Sequence, residues 1–325
     1  MPIDNSNMLK VIEDFPKQCK TALELPKGMS ISGKVDKIVV IGMGGSAVGG
    51  DLLKAYMQNS KIPVFVVRDY KVPNFVDENT LVFAVSYSGN TEETISAYES
   101  AINKKAKIVA VTSGGSLGQM AKKVIKIPTV LQPRAALGYL FFPVLGVLAN
   151  SNIVDVKNSE ITEMLDILSN TKEFKAVGEG IAKKIGQRTP LIYASEMLNA
   201  VAYRWKTQFN ENSKTAAFHH SFSEMNHNEI VGYQTMKRGD YVAIFIRDKE
   251  DNESIKKRMD ITKEIISTRI DVEEVFTKGD GLLSRIFSGI YYGDFASYAL
   301  ALAKKIDPTP VAVIENLKKR LKCQL

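Results

Sequence analysis

The sequence predicts an α/β protein with two doubly wound parallel sheets, one in each half of the chain. Three observations carry this. Short, nearly continuous apolar runs recur and read as strands buried on both faces. Glycine- or hydroxyl-rich turns follow several of these runs. Helical segments fill the intervals, giving the β-α-β order of parallel sheets. A length of 325 residues holds two domains of ordinary size, each with a core of its own.

Residues 1–30 read as helix and then loop, broken at Pro16 and Pro26. Lys37–Ile41 (KIVVI) is the first strand, and Gly42–Gly50 the turn and helix start after it. Pro63–Arg68 and Thr80–Val85 are the second and third strands. SYSGNTEET then opens a helix running to about Asn103. Lys107–Thr112 (KIVAVT) is the fourth strand, followed by SGGSL and a helix, and Val124–Ile127 is a short fifth. Leu137–Ala149 (LGYLFFPVLGVLA) is the most apolar segment. It is too short to span a bilayer and reads as a buried helix. The polar stretch Asn150–Glu160 interrupts the alternation, so the domains are expected at 1–152 and 153–325. Beyond it come a strand at Pro190–Ala194, a helix at Ser195–Gln208 and a strand at Tyr241–Ile246. A helix at Ser254–Thr268, a strand at Val272–Phe276 and helices at Leu282–Lys305 and Pro310–Leu321 complete the chain. Met197 and Trp205 are assigned to the core.

Composition narrows the class. Hydrophobic residues make up 45% and charged residues 24%, as in ordinary globular proteins. The net charge is +7 and the isoelectric point is near 9.1. Lys and Arg are interspersed with Asp and Glu, with no basic block and no zinc or helix-turn-helix spacing. Nucleic acid is therefore not the expected partner; the positive balance suits small anionic substrates. The two cysteines, Cys19 and Cys323, form no paired or metal-ligand spacing, so a reducing compartment without a structural disulfide is expected. No secretory apolar segment opens the chain, and no apolar run reaches membrane-spanning length. A cytoplasmic protein away from membranes is the expectation.

Ligands of open parallel sheets bind beyond the carboxyl ends of the strands. Three turns in the first half occupy that edge: Gly42–Gly50, Ser86–Thr91 and Thr112–Ser116. The first fits the dinucleotide fingerprint G-x-G-x-x-G/A, and Asp69 stands near where a ribose-binding acid belongs. The second turn, Ser86-Tyr87-Ser88-Gly89-Asn90-Thr91, argues differently. Helix capping by Asn90 or Thr91 needs one side chain, whereas Ser86, Ser88 and Thr91 surround a glycine. Hydroxyls with free N–H groups at a helix start make a nest for a phosphate monoester. Thr112, Ser113 and Gly114 read as residues that shape the third turn. The histidines His219, His220 and His227 cluster, but without helical i,i+4 spacing or a nearby cysteine, so no metal is expected.

S-x-S-G-x-T after a strand, with G-x-G-x-S before it, resembles the sugar isomerase (SIS) domain. GMGGSAVGGDLL, VSYSGNTEET, the TSGG turn, Pro133-Arg134-Ala135-Ala136-Leu137, Phe209-Asn210-Glu211-Asn212, His227-Asn228-Glu229-Ile230 and DPTPV…IENLKKRL occur in that order. Together they resemble the bifunctional phosphoglucose/phosphomannose isomerases over nearly the whole chain. The resemblance implies two SIS domains in a homodimer and an aldose–ketose isomerase that interconverts glucose 6-phosphate or mannose 6-phosphate with fructose 6-phosphate. It implies that Gly45, Ser46, Ser86, Ser88 and Thr91 hold the phosphate. Arg134 would neutralise the enediolate and Glu211 would be the proton-transferring base. His227, reaching across from the partner subunit, would open the sugar ring, and Lys318 in the last helix would assist. No cofactor or metal is implied. The alternatives are a non-catalytic phosphosugar-binding SIS protein and an isomerase of another phosphosugar.

Overall fold

KIVVI, TLVFAVS and KIVAVT are rich in β-branched side chains with no polar alternation, so both faces of each strand must be covered. The computed structural model, which describes residues 3–323 and side chains as far as Leu321, covers them with helices on both sides. The chain begins with α1 (Met8–Glu13) and α2 (Phe15–Glu24). It continues through β1 (Lys37–Ile41), α3 (Gly45–Tyr56), β2 (Val64–Val67), β3 (Thr80–Ser86), α4 (Glu92–Asn103) and β4 (Lys107–Thr112). Then come α5 (Gly115–Met120), β5 (Val124–Lys126) and α6 (Leu137–Asn150). The five strands are all parallel, in the order β2-β1-β3-β4-β5. The chain leaves β1 outward to β2 and returns to β3, so the topological switch lies between β1 and β3. Gly50 lets α3 lie directly on the sheet: a Cβ there would meet Val40 Cβ at 2.9 Å.

The second half carries α7 (Asn158–Ser169), α8 (Thr171–Ile185), β6 (Thr189–Ala194), α9 (Asn199–Asn212), β7 (Phe218–Ser221) and α10 (Phe222–Met225). After these come β8 (Tyr241–Arg247), α11 (Glu253–Ser267), β9 (Asp271–Phe276), α12 (Leu282–Ala303) and α13 (Ala312–Cys323). Four parallel strands run β7-β6-β8-β9. The fold class is thus two parallel-sheet α/β halves, as expected.

The two halves share one core. Phe141 and Phe142 of α6 pack on Phe287 of α12, with ring centroids 5.1 and 4.9 Å apart, and Phe15 meets Tyr291 at 5.6 Å. This joint fixes α3 and α9 side by side. Trp205 is fully buried and donates to the Gly289 carbonyl at 2.7 Å. Met197 is half-buried, not a core residue, because it sits at a short 3-10 turn (Glu196–Leu198) where a continuous helix from Ser195 was expected. The edge strand β7 was not foreseen. Cys19 is buried in the core, and the side chain of Cys323 lies outside the described residues. Among the described residues, no helix is long and apolar enough to cross a membrane.

Candidate active site where the two halves meet

The first turn after β1 and the turn after β3 are neighbours by strand order, and their side chains interlock. Ser86 is buried at the end of β3. Its hydroxyl lies 3.0 Å from Thr91 Oγ1 and accepts from the Gly89 N–H at 3.1 Å. Ser46 Oγ accepts the Tyr87 N–H at 3.3 Å and so ties the two turns together. Thr91 holds the N-cap position of α4 but caps nothing; its hydroxyl is turned to Ser86. Gly44, at the N-cap of α3, has no side chain to cap with. At α3 the Ser46 and Ala47 N–H groups turn back to the Met43 and Gly44 carbonyls at 3.0 and 3.1 Å, whereas the first turn of α4 has no side-chain cap, so its N–H groups stand beside three hydroxyls where the helix dipole favours an anion. Ser88 is exposed at the rim, and its Oγ accepts the Asn90 N–H at 3.3 Å. The third turn is a brace. Gly89 stands at φ 68°, and a Cβ there would sit 1.8 Å from the Gly114 carbonyl. Thr112 Oγ1 donates to that carbonyl at 2.9 Å, and Ser113 Oγ donates to the Tyr87 carbonyl at 2.6 Å. Asp69, the acid of the dinucleotide fingerprint, is exposed and accepts its neighbour Tyr70's N–H at 2.6 Å.

Arg134 adjoins this nest. It sits in the short 3-10 helix Pro133–Ala135, and Gly45 packs so closely on it that a Cβ would lie 3.3 Å from Arg134 Cα. The side chain is only 3% exposed. Its Nε donates to Asn212 Oδ1 at 2.7 Å, and Nη2 donates to the Pro308 and Thr309 carbonyls at 2.7 and 2.9 Å. Nη1 makes a long contact to Glu211 Oε2 at 3.4 Å. Burial lowers the pKa of Arg134; the Glu211 charge opposes this, and Arg204 adds to it. A guanidinium stays protonated under such pressure.

Glu211 lies inside the last turn of α9 rather than just past it, and its side chain is 28% exposed. That turn is closed by Lys214, a residue the sequence reading passed over. Lys214 has a left-handed backbone, φ 51°. Its Nζ donates to the Glu211 carbonyl at 2.8 Å, the Asp307 and Pro308 carbonyls at 3.1 Å each, and the Asn212 carbonyl at 3.3 Å. Burial, followed by repulsion from Arg134, lowers its pKa. A lysine just beyond a helix end is a known way to satisfy the last carbonyls, and that was the signal available.

Not every expected residue converges. His227 is exposed in the turn after α10, where its main-chain N–H donates to the Glu224 carbonyl at 3.0 Å. Lys318 is exposed on α13. Neither is joined to Glu211 or Arg134 by a hydrogen bond or ion pair among the described residues. The other two histidines lie on β7. His219 is held neutral, its pKa pushed down to about 4 by burial and then by Lys206 and His220. It faces a cavity of about 420 Å³ at the far ends of α3 and α9, lined also by Asp51, Lys54, Arg68, Glu196 and Tyr203. That cavity holds neither Arg134 nor Glu211, and its Asp51–Arg68 ion pair is self-satisfied. Among the described residues, no group of three His, Cys, Asp or Glu side chains could hold a metal ion.

Comparison with known proteins agrees with this geometry. Residues 33–141 match the SIS domain family, and residues 174–321 match the bacterial phospho-glucose isomerase C-terminal SIS domain. The chain is 42% identical to a bifunctional phosphoglucose/phosphomannose isomerase of Caldicellulosiruptor bescii, over 97% of this chain and 98% of that protein. It is 43% identical to a protein of the same name from Thermoplasma acidophilum, over 95% and 97% of the two chains. The crystal structure of tagatose-6-phosphate ketose/aldose isomerase from Escherichia coli shares the fold, with a TM-score of 0.72, 14% identity and 94% of each chain covered. Identity of this extent along the whole length means that the chain belongs to the bifunctional phosphoglucose/phosphomannose isomerase family.

Proposed function

We propose that this chain interconverts glucose 6-phosphate or mannose 6-phosphate with fructose 6-phosphate through a cis-enediol. One observation carries the proposal: a hydroxyl-lined double helix start adjoins a buried guanidinium whose Nη1 faces a carboxylate. The phosphate dianion docks on Gly45, Ser46, Ser86, Ser88 and Thr91. His227, contributed by a second copy of the chain, protonates and opens the ring, with Lys318 assisting, because only the open chain has a carbonyl to acidify the neighbouring C–H. Glu211 then removes the C2 proton of the aldose, and the electron pair forms the C1–C2 double bond of the enediol. Arg134 Nη1 lies against the developing oxygen charge. The O2 proton passes to O1 and the carboxyl returns its proton to C1, as the O2–H bond pair becomes the C2=O bond of the ketone.

The enediol has no stereochemistry at C2, so both C2 epimers lead to one intermediate, and a single site can serve both. The exposed His227, joined to neither Glu211 nor Arg134 by a hydrogen bond or ion pair among the described residues, supports a homodimer as the working unit. In this reading residues 1–152 supply the nest and residues 153–325 the base. A phosphorylated hexose does not cross a membrane, which favours the cytoplasm. The test is a coupled assay starting from fructose 6-phosphate. Appearance of both the glucose and the mannose ester is expected, and Glu211→Gln should remove both. Full activity in that variant, or total inertness toward the mannose ester, would refute the assignment.

A further inference from the structure

Arg134 is held by a one-way chain of hydrogen bonds that begins in the main chain of α12. Asp294's carbonyl accepts the Ser297 hydroxyl at 2.9 Å. That hydroxyl's proton is then committed, so its lone pair accepts Asn212 Nδ2, also at 2.9 Å. The donor order forces the Asn212 amide to turn its oxygen to Arg134, where it accepts Nε–H at 2.7 Å. Asn212 and Ser297 are both fully buried. The chain is anchored by the ion pair of Arg204 with Asp294 at 3.0 Å, and by Gln208 donating to the other Asp294 oxygen at 2.9 Å.

A guanidinium offers five N–H groups in a rigid plane. Asn212 takes Nε–H, and the Pro308 and Thr309 carbonyls take Nη2. The plane is fixed along one whole edge, and Nη1 is left pointing toward Glu211. We propose that Asn212, set by Ser297, is a positioning residue that orients Arg134 so that Nη1 alone faces the reacting carbons. Asn212 touches no substrate in this arrangement; it acts through Arg134. The inference rests on the reading of Arg134 as the enediolate cation.

The experiment separates orientation from binding and from folding. Asn212→Ala should lower kcat by about 10- to 100-fold, the scale expected when a catalytic group is displaced by about 1 Å. Ser297→Ala, which frees the Asn212 amide to flip, should lower it by roughly 3- to 10-fold on the same scale. KM, and the inhibition constant of a hexitol 6-phosphate that has the phosphate but no carbonyl, should stay within about twofold in both, since uniform binding is untouched. Asn212→Asp keeps the shape but places a negative charge beside the Arg134–Glu211 pair. Glu211 should then be harder to ionise, and the acid limb of the kcat/KM profile should move to higher pH. A merely structural residue would lower the melting temperature in Asn212→Ala and leave kcat in Ser297→Ala at the wild-type value. Should Asn212→Ala not fold, the other two variants carry the test. Wild-type kcat in Ser297→Ala, while Arg134→Gln abolishes turnover, overturns the proposal. Turnover retained in Arg134→Gln overturns the role of Arg134 instead.

Discussion

The carboxyl edges of the two sheets have the same architecture and opposite chemistry. In the first sheet, the turns at the switch between β1 and β3 end in glycines and hydroxyls, and no side chain caps the start of α4. In the second, the matching switch lies between β6 and β8, and the turn after β8 supplies its own anion. Asp248 accepts Arg285 Nε at 3.1 Å, Thr277 Oγ1 at 2.7 Å and the Glu250 N–H at 2.8 Å. Asp251 accepts the Asp248 N–H at 3.0 Å. Donors that could have met a phosphate are spent on a resident carboxylate. A parallel sheet therefore provides a place for an anion at its switch point, and whether it becomes a site depends on whether the chain has already filled it.

This contrast can be broken from either side. The largest effect is expected at the working edge: Glu211→Gln should cost about 10³-fold in kcat, the middle of the range for a lost general base. Its melting temperature should stay near that of the wild type. Asp248→Asn, a carboxylate lost at the other edge, should leave kcat in place, and steady-state assays of both variants would expose any exchange of roles. Next comes stability. Asp248→Ala leaves the nearly buried Arg285 without its partner and should destabilise the fold by about 3–5 kcal/mol, measured by chemical denaturation. Smaller still are single hydroxyls. Ser86→Ala should raise KM by about tenfold, the scale of one hydrogen bond to a charged group. Thr277→Val should change stability and not KM.

The weakest effect concerns the junction, where His219 on β7 packs against Tyr203 of α9 with ring centroids 5.1 Å apart. Its folded pKa of about 4 lies below the ordinary 6.5. Between these values the unfolded chain binds a proton that the folded chain refuses, so stability falls as pH drops from 7 toward 4. Wild type should lose on the order of 2 °C more than His219→Gln between pH 7 and 5 in melting scans. Equal losses would show that the imidazole is solvated.

β1, β3 and β4 were legible because both their faces are apolar, and all five strands of the first half were recoverable from residue order alone. β7 was not, because FHHS is four residues long and lies on a sheet edge, where neither length nor alternation marks it. The end of α9 was read short for a related reason: Asn210, Glu211 and Asn212 look like a polar loop, yet they are the helix's last turn. Ser86 and Thr91 could be singled out, since their excess over capping is a local fact. The partners of Arg134 could not. Asn212, Pro308 and Thr309 lie 78, 174 and 175 residues away, and only the folded chain brings them to one guanidinium. The Asp248–Arg285 pair was invisible for the same reason.

The close fit of Gly45 against Pro133 and Arg134 has a consequence for substrate choice. Under the proposed reading, the nest grips one end of the sugar and Arg134 meets the other, and this contact locks the two together as the fixed jaws of a caliper. The gap between them is set by backbone, which does not flex as a long side chain would. Such a gauge measures how many carbons separate phosphate from carbonyl while ignoring the configuration at C2. Selection by length and indifference to one stereocentre would then come from the same pair of backbone atoms.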